Sequence, residues 1–243
     1  MEAWSSLPLY ITDPSKVMKA PKHITMNSLF SLTLSFLLFT FITNIPSNNA
    51  APSQVIDTNG KPLIHGNQYF IFPATHNPST GGLTLNEISD SECPLTVLQN
   101  NAILGIPVKF TIPESTTGNI LTGTDLDIEF TEKPNCAASS KWLLFVDNTT
   151  QLNCVGIGGP GNYHGVETIG GKFLIAKHGS GGVYRIGFCL DSTGDCGYLG
   201  RKEFGSEEGG ARLVLTVTDA YSVVFVDAAS VISVAGGEII NML

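Results

Sequence analysis

Charge is scarce in this chain of 243 residues: Asp, Glu, Lys and Arg make up 14% of it, well below the quarter usual for a soluble domain. The charge present leans acidic, with 13 Lys and Arg against 21 Asp and Glu, so the basic face that nucleic acid demands is missing. An acidic surface names no partner of its own; it keeps a protein soluble. Helical periodicity is absent outside the N-terminal region, which excludes bundles and coiled coils. Long hydrophobic runs are lacking too. The one candidate, Leu29 to Ile42, is too short to cross a bilayer comfortably and is broken by Ser and Thr.

The usual marks of catalysis are equally thin. His23, His65, His76, His164 and His178 lie far apart without metal-ligand pairing, so they read as surface or loop residues and no metal is expected. His178-Gly-Ser-Gly-Gly182 falls short of a Gly-x-Ser-x-Gly elbow and reads as a turn. Gly156 to Gly161 has the spacing of a dinucleotide fingerprint, but Pro160 and the following Asn-Tyr-His-Gly offer no helix to meet a pyrophosphate. It reads as a glycine-rich turn. Asp125, Asp127 and Glu129 alternate as the solvated face of a strand does. No nucleophile, base and orienter come together, so no catalytic residue and no cofactor is assigned.

What the chain does have is turn-formers and short apolar runs. Its 26 Gly and 13 Pro are scattered, as many short strands require, and 42% hydrophobic content suffices for a core. Strands are predicted at Gln68–Phe72, Thr96–Gln99, Val108–Ile112, Leu126–Phe130, Trp142–Val146, Lys172–Ala176, Val183–Phe188, Arg212–Val217 and Ser222–Val226. That pattern predicts one all-β barrel or sandwich rather than two domains. A weak echo links Gln68-Tyr-Phe-Ile-Phe, Lys141-Trp-Leu-Leu-Phe and Val183-Tyr-Arg-Ile-Gly-Phe, each with an aromatic ahead of apolar residues, at uneven intervals. The apolar end, Val231 to Leu243, reads as a closing strand extension or a removable sorting tail.

Met26 opens the apolar block, and Ser47 to Ala51 supply the small and polar residues of a cleavage region. Residues 26–50 are therefore expected to be a signal peptide, with a signal anchor as the alternative. Residues 1–25 read as an upstream extension, whose Lys16, Lys19 and Lys22 would give a positive flank. Export makes disulfides the expectation for Cys93, Cys136, Cys154, Cys189 and Cys196. Cys189 and Cys196 bracket a short polar loop and suit a local bridge; the other three leave one pair and one odd thiol open. Asn148-Thr-Thr150 fits an N-glycosylation acceptor.

The segment after the leader carries a more specific signal. Val55, Asp57, Gly60, Leu63, Tyr69 and Ile71 are spaced as in the opening signature of the plant Kunitz-type (soybean trypsin inhibitor) family, secreted β-trefoil proteins, with miraculin-like relatives among them. Cys93-Pro-Leu-Thr-Val, Leu126-Asp-Ile-Glu-Phe, Cys136-Ala-Ala-Ser-Ser-Lys-Trp142 and Tyr184-Arg-Ile-Gly-Phe-Cys189 with Cys196-Gly resemble four further blocks of that family, so the likeness runs from 54 to 227. The resemblance implies a β-trefoil over 51–243, bridges Cys93–Cys136 and Cys189–Cys196, and an unpaired Cys154, whose place at a strand start reads as a buried thiol rather than a reactive or intermolecular one.

It also implies a secreted monomer that blocks a protease, with neither a nucleic acid partner nor a membrane after signal cleavage. Inhibitory members insert one exposed loop, in extended form, into the enzyme. Here that loop maps to Ile112–Ile120, and the contact residues to Pro113, Glu114, Ser115, Thr116 and Thr117. Anchoring on Pro113 puts Ser115 in the specificity pocket; anchoring on Leu126–Phe130 puts Thr116 there. Neither is basic, so trypsin, whose pocket Asp would go unpaired, is not the expected target. The family's loop-bracing Asn corresponds to His65, which also donates and accepts hydrogen bonds but with a different geometry. The alternatives are a non-inhibitory storage or miraculin-like protein and a trefoil that binds carbohydrate.

Overall fold

The computed structural model describes residues 51–74, 81–87 and 92–235, all within one compact unit that runs from Ala51 to Leu243. The expected leader, the extension before it, His23 and His76 lie outside the described residues. Among those described there are thirteen strands: β1 (Gln68–Pro73), β2 (Leu83–Asn86), β3 (Thr96–Gln99), β4 (Val108–Thr111), β5 (Asp127–Phe130), β6 (Trp142–Val146), β7 (Asn153–Ile157), β8 (Thr168–Ile169), β9 (Gly171–Lys177), β10 (Tyr184–Leu190), β11 (Cys196–Lys202), β12 (Ala211–Thr216) and β13 (Val223–Asp227). One helix, α1 (Ala228–Ala235), follows.

Strand pairing closes a ring. β1 lies between β13 and β4, β4 pairs β5, Leu126 just before β5 bridges Phe173 on β9, β9 pairs β10, and β10 returns to β13. Along these six strands alternate residues point inward: Tyr69 and Ile71, Val108 and Phe110, Ile128 and Phe130, Phe173 and Ile175, Tyr184, Ile186 and Phe188, Val223 and Phe225 are all buried in one cluster. That period of two is what a barrel with one filled interior requires. Burying each such side chain contributes about 1.5–3 kcal/mol.

Three hairpins, β2–β3, β6–β7 and β11–β12, close one end. One strand of each meets the other two: Thr96 on β3 faces Gly156 on β7, Val214 on β12 faces Cys154, and Ala211 faces Gln99. Six barrel strands with a triangular hairpin cap, repeated in thirds that begin at β1, β5 and β10, make a β-trefoil. The connection after β4 and the chain before β1 emerge together at the uncapped end.

Several sequence expectations need correction. The aromatic echo identified the first strands of thirds one and three, Tyr69 and Tyr184, but Trp142 lies on β6, the second strand of its third. The second third opens instead with Asp127-Ile-Glu-Phe, and the three starts are then nearly evenly spaced. Four strands, β2, β7, β8 and β11, had no clear apolar run to mark them. β11 contains Gly197 and Gly200, where an added Cβ would meet Leu215 and the backbone oxygen of Asp219. The start of the apolar tail is a helix rather than a strand. α1 covers Phe70, Phe72, Val224 and Val226 on the outside of the barrel through Ala228 and Val231. The rest of the tail lies outside the described residues.

Cys93 and Cys136 are joined, as are Cys189 and Cys196, while Cys154 is buried and unbonded. The first bridge spans 43 residues and the second 7. In the chain-entropy account they are worth about 4 and about 2.5 kcal/mol.

Candidate functional site

The residues before β1 form a small platform at the uncapped end. Asp57 is buried, and its Oδ1 accepts the backbone N–H groups of Asn59 and Lys61, both at 2.8 Å. That bends the chain into a tight hairpin, completed by Gly60 at φ +75°, a conformation glycine adopts without strain. Two barrel tyrosines pin it from below: Tyr184 Oη accepts the Ile56 N–H and Tyr69 Oη accepts the Ile64 N–H, each at 2.9 Å. Val55 and Leu63 are fully buried between them. Burial pushes the Tyr69 phenol up, only partly offset by hydrogen bonds with the Ile64 backbone and the Asn67 side chain, so it stays neutral.

This platform holds the loop that follows β4. Ile120 N–H donates to Leu63 O, Val55 N–H to Ile120 O, and Thr122 N–H to Ser53 O, all within 2.8–2.9 Å. Isolated bridges pair Ile64 with Asn119 and Gln54 with Leu121. His65 ties both legs together. Its N–H donates to Gly118 O at 2.9 Å, and its Nδ1 accepts the Ile112 N–H at 3.0 Å. The base of the loop is therefore spanned by one residue.

The first part of the loop is not extended, contrary to the expectation drawn from the resemblance. Ser115 N–H donates to Ile112 O at 3.1 Å, closing a turn with Pro113 second and Glu114, at φ +63°, third. Pro113 sets the entry dihedral, and the left-handed third residue is what a type II turn needs. A non-glycine residue in that conformation costs on the order of 1 kcal/mol. Ser115 is half-buried and its hydroxyl donates to Thr117 O at 2.8 Å, whereas Thr116 and Thr117 are exposed. Of the two candidate pocket residues, Thr116 is the more exposed, while the Ser115 hydroxyl is tied to the loop's own backbone.

The capped end holds a different arrangement, one the sequence did not announce. Arg212 is buried on β12; its Nη1 donates to Asp147 Oδ2 at 2.6 Å and its Nε and Nη2 donate to both oxygens of Glu208. Its guanidinium also lies 4.4 Å from the Phe204 ring centre. Burial by itself would push the Asp147 carboxyl up, but hydrogen bonds from Thr150, Thr149 and Arg212 and the guanidinium charge outweigh it and hold it below the usual carboxylate range. Burial pushes the neighbouring Cys154 thiol up to about 11, which makes it inert. The only sequence hint of this cluster was Asp147 ahead of Asn-Thr-Thr, an Asx-turn pattern.

The remaining candidates fall into place as structure. Asn148 is exposed in the β6–β7 turn, where its Nδ2 donates to Gly165 O at 3.3 Å. Gly156–Gly161 ends β7 and forms the expected glycine-rich turn, in which Pro160–Asn162 make a single 3-10 turn. Its Asn162 side chain binds the backbone of Gly159, Ala138 and Cys136 rather than facing an open site. His178–Gly182 is the β9–β10 turn, with Gly179, Gly181 and Gly182 all left-handed. Asp127 takes Lys141 at 2.9 Å and Lys172 at 3.7 Å on the barrel surface. Among the described residues no group of His, Cys, Asp or Glu is placed to hold a metal, and no helix is long and apolar enough to cross a membrane.

The fold is a disulfide-bonded β-trefoil with a loop laced at its uncapped end. A model of the legume Kunitz family, described as "Trypsin and protease inhibitor", matches residues 55–227. The chain is 51% identical over 207 residues to a Kunitz-type trypsin inhibitor-like 2 protein of Pisum sativum, covering 84% of this chain and 94% of that one. It is 41% identical to subtilisin inhibitor CLSI-II of Canavalia lineata, over 72% of this chain and 93% of that one. A crystal structure of a Kunitz type trypsin inhibitor from Cicer arietinum superposes with a TM-score of 0.68 at 52% identity, covering 72% of this chain and 99% of that one. The chain belongs to the plant Kunitz-type inhibitor family.

Proposed function

We propose that this protein is an exported, monomeric inhibitor of a serine protease, which its Pro113–Thr117 loop engages, the substrate-like stretch following the Ile112–Ser115 turn and Thr116 entering the specificity pocket. The observation that carries this reading is the double hold of His65 on Ile112 and Gly118, which keeps an exposed peptide in one conformation. A loop ordered before binding loses little entropy on binding, and its ends stay in place if the bond is cut. Family membership and the two disulfides support the same reading, the latter being the mark of an oxidising compartment. Asn148 in its exposed turn is a proposed glycosylation site.

Thr116 is small and neutral, and Glu114 is the only charged residue between Ile112 and Leu121. Such a loop suits subtilisin- or elastase-like pockets rather than one that demands Arg or Lys, which agrees with the name of the Canavalia relative. Titrating the mature protein against trypsin, chymotrypsin, elastase, subtilisin and papain tests the function. Tight stoichiometric inhibition of an enzyme with a small-residue pocket is expected. Inhibition of none would leave a storage or miraculin-like role. Thr116→Arg is expected to gain trypsin binding by at least about 3 kcal/mol, as a new charge pair forms with the pocket carboxylate. Ser115→Arg should gain far less; the reverse order would move the pocket residue to 115.

A further inference from the structure

Beyond the loop itself, an apolar side chain stands ready on the platform beside it. Residues 118–122 are laced to 53–55 and 63–65 as a small sheet, so cross-strand partners share a face and neighbours alternate. Val55, Leu63 and Ile120 take the inner face, each fully buried. Ile64 and its partner Asn119 take the outer face, and Ile64 is 44% exposed. The other exposed large apolar residues among those described, Ile103, Leu104 and Val217, lie in the β3–β4 and β12–β13 connections.

Ile64 is also held rigidly. Its N–H is fixed by Tyr69 Oη at 2.9 Å, Leu63 before it is locked in the core, and His65 after it spans the loop base. A β-branched side chain on such a backbone has few rotamers to lose. Asn119 follows Thr116 by three residues, so Ile64 sits beside the part of the loop that would become the leaving group of a cut after Thr116. No charged side chain occurs from Ser115 to Leu121, so this surface is neutral as well as fixed.

We propose that Ile64 is a second contact for the target protease, an apolar anchor that meets the enzyme surface on the leaving-group side and selects enzymes that are apolar there. The proposal rests on the function proposed above. It is tested by inhibition constants for wild type, Ile64→Ala, Ile64→Asp and the control Ile103→Asp, against whichever enzyme of the panel wild type inhibits most tightly. Ile64→Ala should bind about tenfold more weakly and Ile64→Asp about a hundredfold, through faster dissociation. Melting temperature and the rate of loop cleavage should match wild type, and Ile103→Asp should inhibit as wild type does. Constants within about threefold of wild type for both Ile64 variants overturn the contact. So does a loss that comes with faster loop cleavage, which would make Ile64 a support of the loop and nothing more. Wild type that inhibits no enzyme sinks the proposed function and the contact with it; a potent wild type with indifferent Ile64 variants sinks the contact alone.

Discussion

The two ends of this barrel each bury an aspartate that accepts backbone N–H in a tight turn, and only the capped end adds a cation to it. At the uncapped end Asp57 is satisfied by two backbone N–H groups, and the loop above it is laced by amides, tyrosine hydroxyls and one imidazole. At the capped end Asp147 shares a buried guanidinium with Glu208. Backbone lacing fixes geometry closely and tolerates changes of surface charge. A buried ion cluster welds two hairpins of the cap together, but it is costly to desolvate and fails sharply when one member is lost. The end that presents the loop is thus held by bonds that set shape, and the opposite end by bonds that set stability.

Three changes probe that contrast. The largest effect is expected from Arg212→Met, which leaves Asp147 and Glu208 without their cation. About 3–5 kcal/mol of unfolding free energy should be lost in urea titrations, while the folded fraction keeps its affinity for the protease. A parallel loss of affinity would show the ends to be coupled. His65→Ala should cost only about 1 kcal/mol of global stability yet accelerate cleavage of the loop by bound protease roughly fivefold, with His65→Asn restoring part of the protection. Equal cleavage of all three proteins would remove His65 as the brace.

The smallest effect is one of pH. The Asp147 carboxyl is held below its ordinary range in the folded protein, so its contribution is complete above about pH 5 and drains away as pH falls below about 4. Stability measured from pH 6 to 2 should show that acid loss in wild type and less of it in Arg212→Met. Identical acid limbs would mean that Arg212 does not set this titration.

Much of the scaffold was legible because its signals are local. Alternating apolar residues marked nine strands within a residue or two at each end, and the signature positions Val55, Leu63, Tyr69 and Ile71 prove to be core, with Asp57 and Gly60 shaping the turn between them. The conformation of the segment after β4 was not legible. The turn at Ile112–Ser115 depends on a left-handed Glu114, which no residue type announces. The resemblance put His65 beside the loop, yet its bonds to both legs depend on folding that brings Gly118 next to it. The Arg212 cluster was invisible for the same reason: 65 residues separate Arg212 from Asp147, and only the hairpin cap joins them. Trp142 misled because an aromatic near a strand start fits the second strand of a third as readily as the first.

The lacing of Ser53 and Val55 to Thr122 and Ile120 makes the head of the folded unit a drawstring for a peptide nearly seventy positions downstream. Loss of the exposed residues 51–53 would be enough to slacken it, because Ser53 and Thr122 hold each other through two bonds. Such trimming would leave the barrel, both sulfur bridges and every residue of the exposed tip untouched. The inhibitor would then be disarmed at the head of its folded unit, with no scar where it meets its target.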